Sequence, residues 1–425
     1  METPEVAVVG AGFGGLAAAL TLCEQGRDVV VYERLTYPGG CASTFERRGW
    51  RFESGATLFA GLADDQLFGR WIDRHDLPVE VDWIDPVVEM RTDRFELAIS
   101  RDRDEFARRF GELPGVDSDR AASWFDRQGR IADALWKLFR SPDLLPPFGL
   151  REFATHLRSA PQYLPLVPLV GRSLADLFAG YDLDEGPARD YFDAVCQITV
   201  QTAAADAEAP FAIGATDYFF QGTGHVRGGI GELARSLADA VEEMGGRVSF
   251  ADPVQALVRA DDHWQVDTRR GRCRAGAVVA NVLPASLGEL VDDPTQLSGL
   301  ESLDDDVRSG WGAAMLYLGL DDHAGLPARP HHLQLIDDGD EQFVEGNHVF
   351  CSISGSEETD RTPVDDARTA TCSTHVDMHE LVGTSDREQA AYVERVQQRM
   401  RRTLRRRAPR VAEAVIEEMT ASPRT

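Results

Sequence analysis

A chain of 425 residues and 46.8 kDa, 43% hydrophobic and 8% aromatic, is long enough to bury a large core in two or three structural units. Its formal net charge is −27, from 71 acidic and 44 basic side chains, and Lys137 is the only lysine. The acidic residues are dispersed, which argues against an acidic tail and disfavours nucleic acid as a partner. A lysine-poor acidic surface stays hydrated in multimolar salt, so we expect an extremely halophilic source.

The six cysteines are scattered without a CxxC pair. This spacing predicts neither a disulfide framework nor a zinc site, and it agrees with a reducing cytoplasm. The first apolar run begins at Val6, which leaves no room for a signal peptide, and no apolar stretch reaches the roughly 20 residues of a membrane span. We therefore expect a cytoplasmic protein, soluble or bound peripherally to a membrane.

The start of the chain has the pattern of a dinucleotide site. The apolar run Val6–Val9 leads into Gly10-Ala11-Gly12-Phe13-Gly14-Gly15, a helix is predicted over Leu16–Gln25, and the apolar run Val29–Tyr32 ends at Glu33. The glycines permit a tight turn, close approach of backbone N–H groups to a pyrophosphate and close helix–strand packing, while the helix N-terminus attracts the anion. Glu33 stands where a carboxylate would meet a ribose diol. The pattern predicts a cofactor that contains ADP.

A second glycine-rich string follows this carboxylate. It reads Pro38-Gly39-Gly40-Cys41-Ala42-Ser43-Thr44 and, after Gly49-Trp50-Arg51, continues as Phe52-Glu53-Ser54-Gly55-Ala56-Thr57. A second Gly-Gly can bring backbone amides to the other side of a pyrophosphate, and small residues around Gly55 would let a bulky ring lie against the chain. The string resembles the flavin amine oxidase and phytoene desaturase superfamily, and most of all its carotenoid desaturase and isomerase branch.

The resemblance implies FAD as the cofactor and an α/β fold. A Rossmann-like FAD-binding domain, three-layered around a central parallel sheet, would be built from discontinuous segments (1–66, 219–292 and 386–425). A helical, apolar region facing substrate and membrane (67–218) and a substrate-domain sheet (293–385) would form the inserted α+β domain. The cofactor-binding residues implied by the resemblance are Gly10, Ala11, Gly12, Phe13, Gly14, Gly15, Glu33, Arg34, Gly39, Gly40, Cys41, Thr44, Gly55, Ala56, Thr57 and, against adenine, Val254.

The rest of the chain alternates between helical and strand-like patterns. Helices are predicted over Arg103–Gly111, Ser118–Phe139, Glu232–Met244 and Asp386–Arg407, and strands over Ala314–Leu318, His332–Ile336 and His348–Ile353. Prolines interrupt the apolar stretches Leu144–Phe148 and Tyr163–Val170, which we expect to form a substrate entrance that touches lipid. The arginines that end the last predicted helix complement its dipole or contact an anionic membrane surface.

Two other patterns are given no ligand. His375, Asp377 and His379 have a spacing that could bind a metal on a helix, but Ser373-Thr374-His375 resembles a strand end of the desaturase family, so no metal is predicted. Gly222-Thr223-Gly224 with Gly228 is not followed by a second ribose carboxylate, which argues against a separate NAD(P) site.

The resemblance implies dehydrogenation of a long polyene, with an apolar tunnel that positions one C–C bond against the flavin. Carotenoid isomerisation or polyene saturation uses the same motifs, and an amine oxidase is a further alternative. His225 and Arg227 are the polar residues expected nearest the ring, although salt-bridged or solvent-facing roles suit them better. The family continues beyond a sequence such as Ser422-Pro423-Arg424-Thr425 into a segment against the isoalloxazine, so a split or inactive chain that needs a separate C-terminal partner is the remaining expectation.

Overall fold

The computed structural model describes residues 3–139 and 166–423. Its helices are α1 (Phe13–Glu24), α2 (Leu67–Arg74), α3 (Arg103–Phe110), α4 (Ser118–Phe139), α5 (Gly186–Thr199), α6 (Ala209–Thr216), α7 (Ile230–Glu243), α8 (Pro284–Leu290), α9 (Leu300–Arg308), α10 (Asp386–Arg407) and α11 (Pro409–Glu413). Its strands are β1 (Val6–Val9), β2 (Val29–Tyr32), β3 (Thr44–Arg47), β4 (Trp50–Glu53), β5 (Val81–Asp82), β6 (Val88–Arg91), β7 (Glu96–Ile99), β8 (His225–Val226), β9 (Arg247–Ser249), β10 (Val254–Arg259), β11 (Trp264–Thr268), β12 (Arg272–Ala275), β13 (Ala277–Ala280), β14 (Trp311–Asp321), β15 (His331–Ile336), β16 (His348–Ile353), β17 (Ala367–Asp377) and β18 (Val415–Ala421).

A four-stranded parallel sheet in the order β13-β1-β2-β9 forms the centre of the first unit. Helices α1 and α7 cover one face, where Leu16 and Leu237 are buried against Val8 and Val31. The antiparallel sheet β10-β11-β12 covers the other face. Because a strand with apolar residues on both faces must be covered on both sides, this arrangement has three layers. The predicted three-layer α/β fold around a parallel sheet is confirmed.

The second unit is a seven-stranded sheet in the order β18-β14-β17-β16-β15-β6-β7, antiparallel except between β15 and β6. One face packs against α10, whose buried Val396, Met400 and Leu404 meet residues such as Leu333 and Leu335. On the opposite face, called the inner face below, the β3–β4 hairpin covers β14 and β18. Helices α3 to α6 form an aromatic core that adjoins the β6 and β15 side of this face.

The placement of 386–423 differs from the sequence prediction. We expected this segment to complete the FAD-binding domain, but α10 packs on the seven-stranded sheet and β18 pairs with β14 as its edge strand. The physical reason is the apolar stripe Tyr392, Val396, Met400 and Leu404, which recurs at helical spacing and finds its partner surface there. The sheet also recruits β6 and β7 from the segment before the helical region, outside the predicted 293–385.

Candidate dinucleotide site and the adjoining sheet face

The first glycine loop leaves no room for larger residues. Gly10 has a φ of +97°, and a Cβ there would lie 2.5 Å from the backbone oxygen of Asn281. A Cβ on Gly15 would lie 2.1 Å from the backbone oxygen of Gly10, because α1 starts directly over the turn. Asn281, which follows β13, also places its side-chain oxygen 2.6 Å from where a Cβ of Gly12 would be. The sequence motifs assign Asn281 no role, but its position directly after the parallel strand β13 brings it to the same sheet edge as the glycine loop.

The second Gly-Gly is joined to this loop. Gly39 donates its backbone N–H to the carbonyl oxygen of Ala11 at 2.8 Å and pairs with Gly12 as an isolated parallel bridge. Gly40, with a φ of +61°, would bring a Cβ to 3.4 Å from Cα of Gly12. Gly14, Gly40, Cys41 and Ala56 are exposed, and Gly12 and Gly55 are partly so. Small residues and free backbone therefore line one continuous surface at the N-terminus of α1, where an anion is favoured.

Glu33 lies at the end of β2 and is 7% exposed. Its two carboxylate oxygens accept hydrogen bonds from the backbone N–H groups of Ala11 and Leu35, each at 2.8 Å. Asp252, two residues before Val254, donates its N–H to the carbonyl oxygen of Glu33 at 2.9 Å. Each carboxylate oxygen keeps a lone pair for a ribose hydroxyl, so Glu33 fits the predicted role while also holding the glycine loop.

Among the remaining predicted residues, Thr57 is buried and Val254 packs against the core between the parallel sheet and β10–β12. Phe13 packs its ring against Phe59 and Phe68. Thr44 accepts the N–H of Gly231 on its hydroxyl oxygen at 2.9 Å, which directs the side chain to the start of α7. Arg34 is exposed beside Glu33. Direct contact of the predicted set with a cofactor stays a prediction.

A buried ionic cluster lies behind the second string. Glu358 accepts hydrogen bonds from Nε2 of His225 at 2.9 Å and from the backbone N–H groups of Gly228 and Gly355 at 2.8 and 2.6 Å. Arg361 pairs with Glu358 at 3.3 Å and lies 3.8 Å from Glu53, and all of these side chains are less than 5% exposed. Burial raises the pKa of Glu53 despite Arg361. For Glu358 burial acts in the same direction, but His225 and Arg361 outweigh it and hold the pKa well below its usual range.

The two residues expected nearest the ring therefore have structural partners. His225 is fully buried in the pair with Glu358, and its ring centroid is 5.8 Å from that of His332. Arg227 is 42% exposed and pairs with Glu80 and Asp82. It lines a pocket of about 320 Å³ at the ends of β15 and β16, together with Glu358 and segments 82–84, 328–330 and 355–357. The salt-bridged roles that the sequence favoured match these contacts.

The inner face of the seven-stranded sheet carries polar residues that sequence reasoning missed. His332 lies opposite Ser352 in the register of β15 and β16, and Gln334 lies opposite Phe350. The ring of His332 stacks on Phe350 with an interplanar angle of 16°. On β17, which adjoins β16, Thr371 donates its hydroxyl to the carbonyl oxygen of Glu53 at 3.1 Å. This polar strip therefore borders the second glycine-rich string.

Two further expectations concern metals and membranes. No group of histidine, cysteine and carboxylate side chains that could hold a metal occurs within residues 3–139 and 166–423. His375 and Asp377 end β17 and are not helical as their spacing suggested, because they extend the pairing with Ala313 and Trp311.

Within residues 3–139 and 166–423, no helix has the length and apolarity to cross a bilayer. Several arginines of α10 pair within the chain, including Arg401 with Glu418 and Arg406 with Asp337.

The comparisons with known proteins agree with this geometry. Residues 8–74 match the model of the NAD(P)-binding Rossmann-like domain. The chain is 24% identical over 273 residues to prolycopene isomerase 1 of an Oncidium hybrid cultivar, which covers 61% of this chain and 44% of that protein. It is 29% identical over 270 residues to phytoene dehydrogenase of Streptomyces griseus, covering 60% of this chain and 50% of the relative. The chain thus spans half or less of the length of these curated relatives.

Solved structures with the same fold match nearly the whole chain. An oxidoreductase from Methanosarcina mazei superposes with a TM-score of 0.62 at 16% identity, covering 99% of this chain and 87% of that one. A putrescine oxidase variant superposes with a TM-score of 0.61 at 15% identity, covering 99% and 84%. At these identities the likeness establishes the fold. The predicted resemblance to the carotenoid desaturase and isomerase branch is confirmed by the sequence relatives.

Proposed function

We propose that this chain, a relative of the prolycopene isomerases and phytoene dehydrogenases, is an FAD-dependent oxidoreductase that desaturates a long polyene lipid. The observation that carries the proposal is the pairing of the second Gly-Gly loop with the dinucleotide loop through Gly12 and Gly39. A nicotinamide dinucleotide needs only the first loop, whereas a flavin dinucleotide uses amides on both sides of its pyrophosphate. The class of the relatives and the fold of the neighbours support the same cofactor.

Bound FAD would supply the acceptor for a hydride that leaves an allylic carbon of the polyene. The chain's own contribution is to bind, orient and exclude water. Backbone N–H groups at the start of α1 and around Gly40 would hold the pyrophosphate, and Glu33 would hold the ribose. The small residues Gly55 and Ala56 leave space for a flat ring beside the inner face of the sheet.

The helical region suits an apolar substrate. Its core is rich in buried aromatic residues, among them Phe106, Phe110 and Trp124, and it adjoins the inner face through Phe350. Val167 and Val170 are 62% and 74% exposed, and Phe211 is 59% exposed on α6. These side chains support a peripheral membrane contact on the cytoplasmic side, because a polyene lipid must be taken from a bilayer. The predicted entrance residues 144–148 and 163–165 lie outside the described residues.

Isomerisation of the same kind of substrate is the second candidate, because relatives with a comparable match are named prolycopene isomerases. Desaturation and isomerisation are separated by their products. A desaturated polyene absorbs at longer wavelength and consumes one electron acceptor per double bond, whereas an isomer keeps the mass of the substrate.

The test begins with the cofactor. We expect protein purified in high salt to contain about one FAD per chain. Glu33→Ala should weaken FAD binding by about 1–3 kcal/mol through loss of a charge-assisted hydrogen bond. Glu46→Ala, which changes an exposed carboxylate on β3, is the matched control and should bind FAD normally. Because Glu33 also holds Ala11, thermal unfolding of each variant shows whether the loop itself remains folded.

The second stage gives the holoenzyme long polyenes with and without an oxygen group in liposomes and follows product absorbance and mass. Absence of FAD, or NAD(P) in its place, would contradict the assignment of the cofactor. FAD-loaded protein that changes neither the mass nor the geometry of any supplied polyene would contradict the assignment of the substrate.

A further inference from the structure

Three buried side chains on the inner face of the seven-stranded sheet have polar atoms without hydrogen-bond partners among the described residues. Both ring nitrogens of His332, both amide heavy atoms of Gln334 and the hydroxyl oxygen of Ser352 make no hydrogen bond within the part of the chain that the structure describes. These residues are 1%, 0% and 2% exposed. Buried polar groups in proteins are nearly always hydrogen-bonded, so three such residues on one face require an explanation.

The three side chains form one patch, called the neutral polar patch below. His332 and Gln334 are alternate residues of β15 and thus share a face, and Ser352 is directly opposite His332 on β16. The intervening Leu333 points to the other face and packs in the core formed with α10. Phe350, the register partner of Gln334, packs against the aromatic helical core on one side of the patch. On the other side Thr371, the register partner of Ser352, bonds to the backbone of the second glycine-rich string.

The patch is uncharged. Burial lowers the pKa of His332 well below its usual value, and the proximity of His225 adds to the effect, so its imidazole is neutral at pH 7. The adjacent carboxylate of Glu358 is already bonded to His225, Gly228 and Gly355. A neutral imidazole, a carboxamide and a hydroxyl together offer both donors and acceptors, and none of them supplies a full charge.

We propose that His332, Gln334 and Ser352 bind a neutral oxygen group of the substrate, a hydroxyl or a ketone. This contact sets the position of the polyene relative to the second glycine-rich string. The proposal rests on the proposed function and narrows its substrate class to oxygenated polyenes. A hydrocarbon would leave the buried donors and acceptors without partners. A carboxylate would enter a buried site where, among the described residues, the neighbouring His225 is already paired with Glu358. A hydroxyl or carbonyl oxygen can form hydrogen bonds with these side chains without the free-energy cost of burying a charge.

The binding test uses three probes of one carbon skeleton in detergent micelles. They are all-trans-retinol, the corresponding hydrocarbon without the hydroxyl group, and the corresponding carboxylic acid, each titrated into the holoenzyme and followed by quenching of tryptophan fluorescence. We expect the alcohol to bind at least 10-fold more tightly than either of the others. Gln334→Leu and Ser352→Ala should each lower the affinity for the alcohol about 3- to 10-fold and leave that for the hydrocarbon unchanged. His331→Leu, which changes the neighbouring histidine on the opposite face, is the control and should keep the preference.

The thermal stability of the same variants without probe gives an independent readout. If the patch serves binding, Gln334→Leu should leave the melting temperature unchanged or raise it, because a costly buried amide is replaced by an apolar side chain of similar size. A clear fall in melting temperature with Gln334→Leu would assign the amide to the fold and overturn the proposal. Equal binding of the alcohol and the hydrocarbon by FAD-loaded protein would overturn it as well. Protein without FAD that still prefers the alcohol would refute the proposed function and retain the patch.

Discussion

Replacement of Glu358 tests the buried joint between the two units of the fold. This carboxylate comes from the connection between β16 and β17 and accepts hydrogen bonds from Gly228 and His225, which precede α7. It also accepts the N–H of Gly355 and pairs with the buried Arg361. Its removal therefore leaves two backbone donors, an imidazole and a guanidinium without their shared acceptor.

The expected loss follows from these contacts. Breaking a buried ion pair by removing one member costs about 3–5 kcal/mol, because the remaining charge stays buried. Glu53 is 3.8 Å from Arg361 and compensates only in part. Glu358→Gln keeps one acceptor oxygen and should lose about 3 kcal/mol. Glu358→Ala also leaves the two N–H groups without acceptors and should lose about 5 kcal/mol.

The assay is urea unfolding at constant high KCl, followed by tryptophan fluorescence. Glu357→Ala, which changes the adjacent exposed carboxylate, is the control and should change stability by less than about 0.5 kcal/mol. Because the folded state lowers the pKa of Glu358, its contribution is complete above the usual carboxyl pKa of about 4.3 and is lost as the pH falls through the folded value. A loss below about 1 kcal/mol with Glu358→Ala at pH 7 would refute this account of the joint.

Three other predictions concern pH, packing and salt. Burial, partly offset by Arg94, raises the pKa of Asp190 to about 6. The folded state therefore binds more protons than the unfolded state between about pH 4 and 6. We expect the free energy of unfolding to fall as the pH rises through that window. Asp190→Asn should flatten this dependence in denaturant titrations at a series of pH values; an unchanged profile would contradict the assignment. Gly15→Ala should abolish FAD retention and lower the melting temperature, because the new Cβ would lie 2.1 Å from the backbone oxygen of Gly10. Gly271 has open space around it, so the control Gly271→Ala should change neither measurement. With a net charge of −27, the melting temperature should drop when KCl is lowered below about 1 M, and a salt-independent value would remove the halophilic interpretation.

The dinucleotide unit could be predicted from the sequence because every signal for it is local. A buried strand, a glycine turn, a helix and a carboxylate follow one another within Val6–Glu33, and each residue's role depends on its neighbours in the chain. The second glycine-rich string could also be predicted from the sequence, since Gly39 and Gly40 adopt positive φ values that glycine tolerates. The direction of the Thr44 side chain could not be predicted, because it depends on a hydrogen bond from the N–H of Gly231, which is distant in sequence.

The composition of the large sheet could not be predicted for the same reason. β6 pairs with β15 although more than two hundred residues separate them. The local sequence of Val88–Arg91 does not identify the strand with which it pairs. Within the strand His331–Ile336, residues 332–335 alternate between polar and apolar, which usually indicates one solvent-facing side. All six residues are buried in the structure. The polar side of this strand is therefore a feature that tertiary packing creates and local pattern alone misassigns.

Side chains of the seven-stranded sheet bind the backbone of the second glycine-rich string. Tyr317 donates its hydroxyl to the carbonyl oxygen of Ser54 at 2.7 Å, and Thr371 does the same to Glu53. Since Thr371 is also the register partner of Ser352, the distance from the string to the neutral polar patch is set by one strand spacing and one hydrogen bond. A flat ring on the second glycine-rich string and an oxygen group on the neutral polar patch would then be held at a fixed distance from each other. The regiochemistry of any reaction on a bound polyene would follow from where its oxygen lies along the chain.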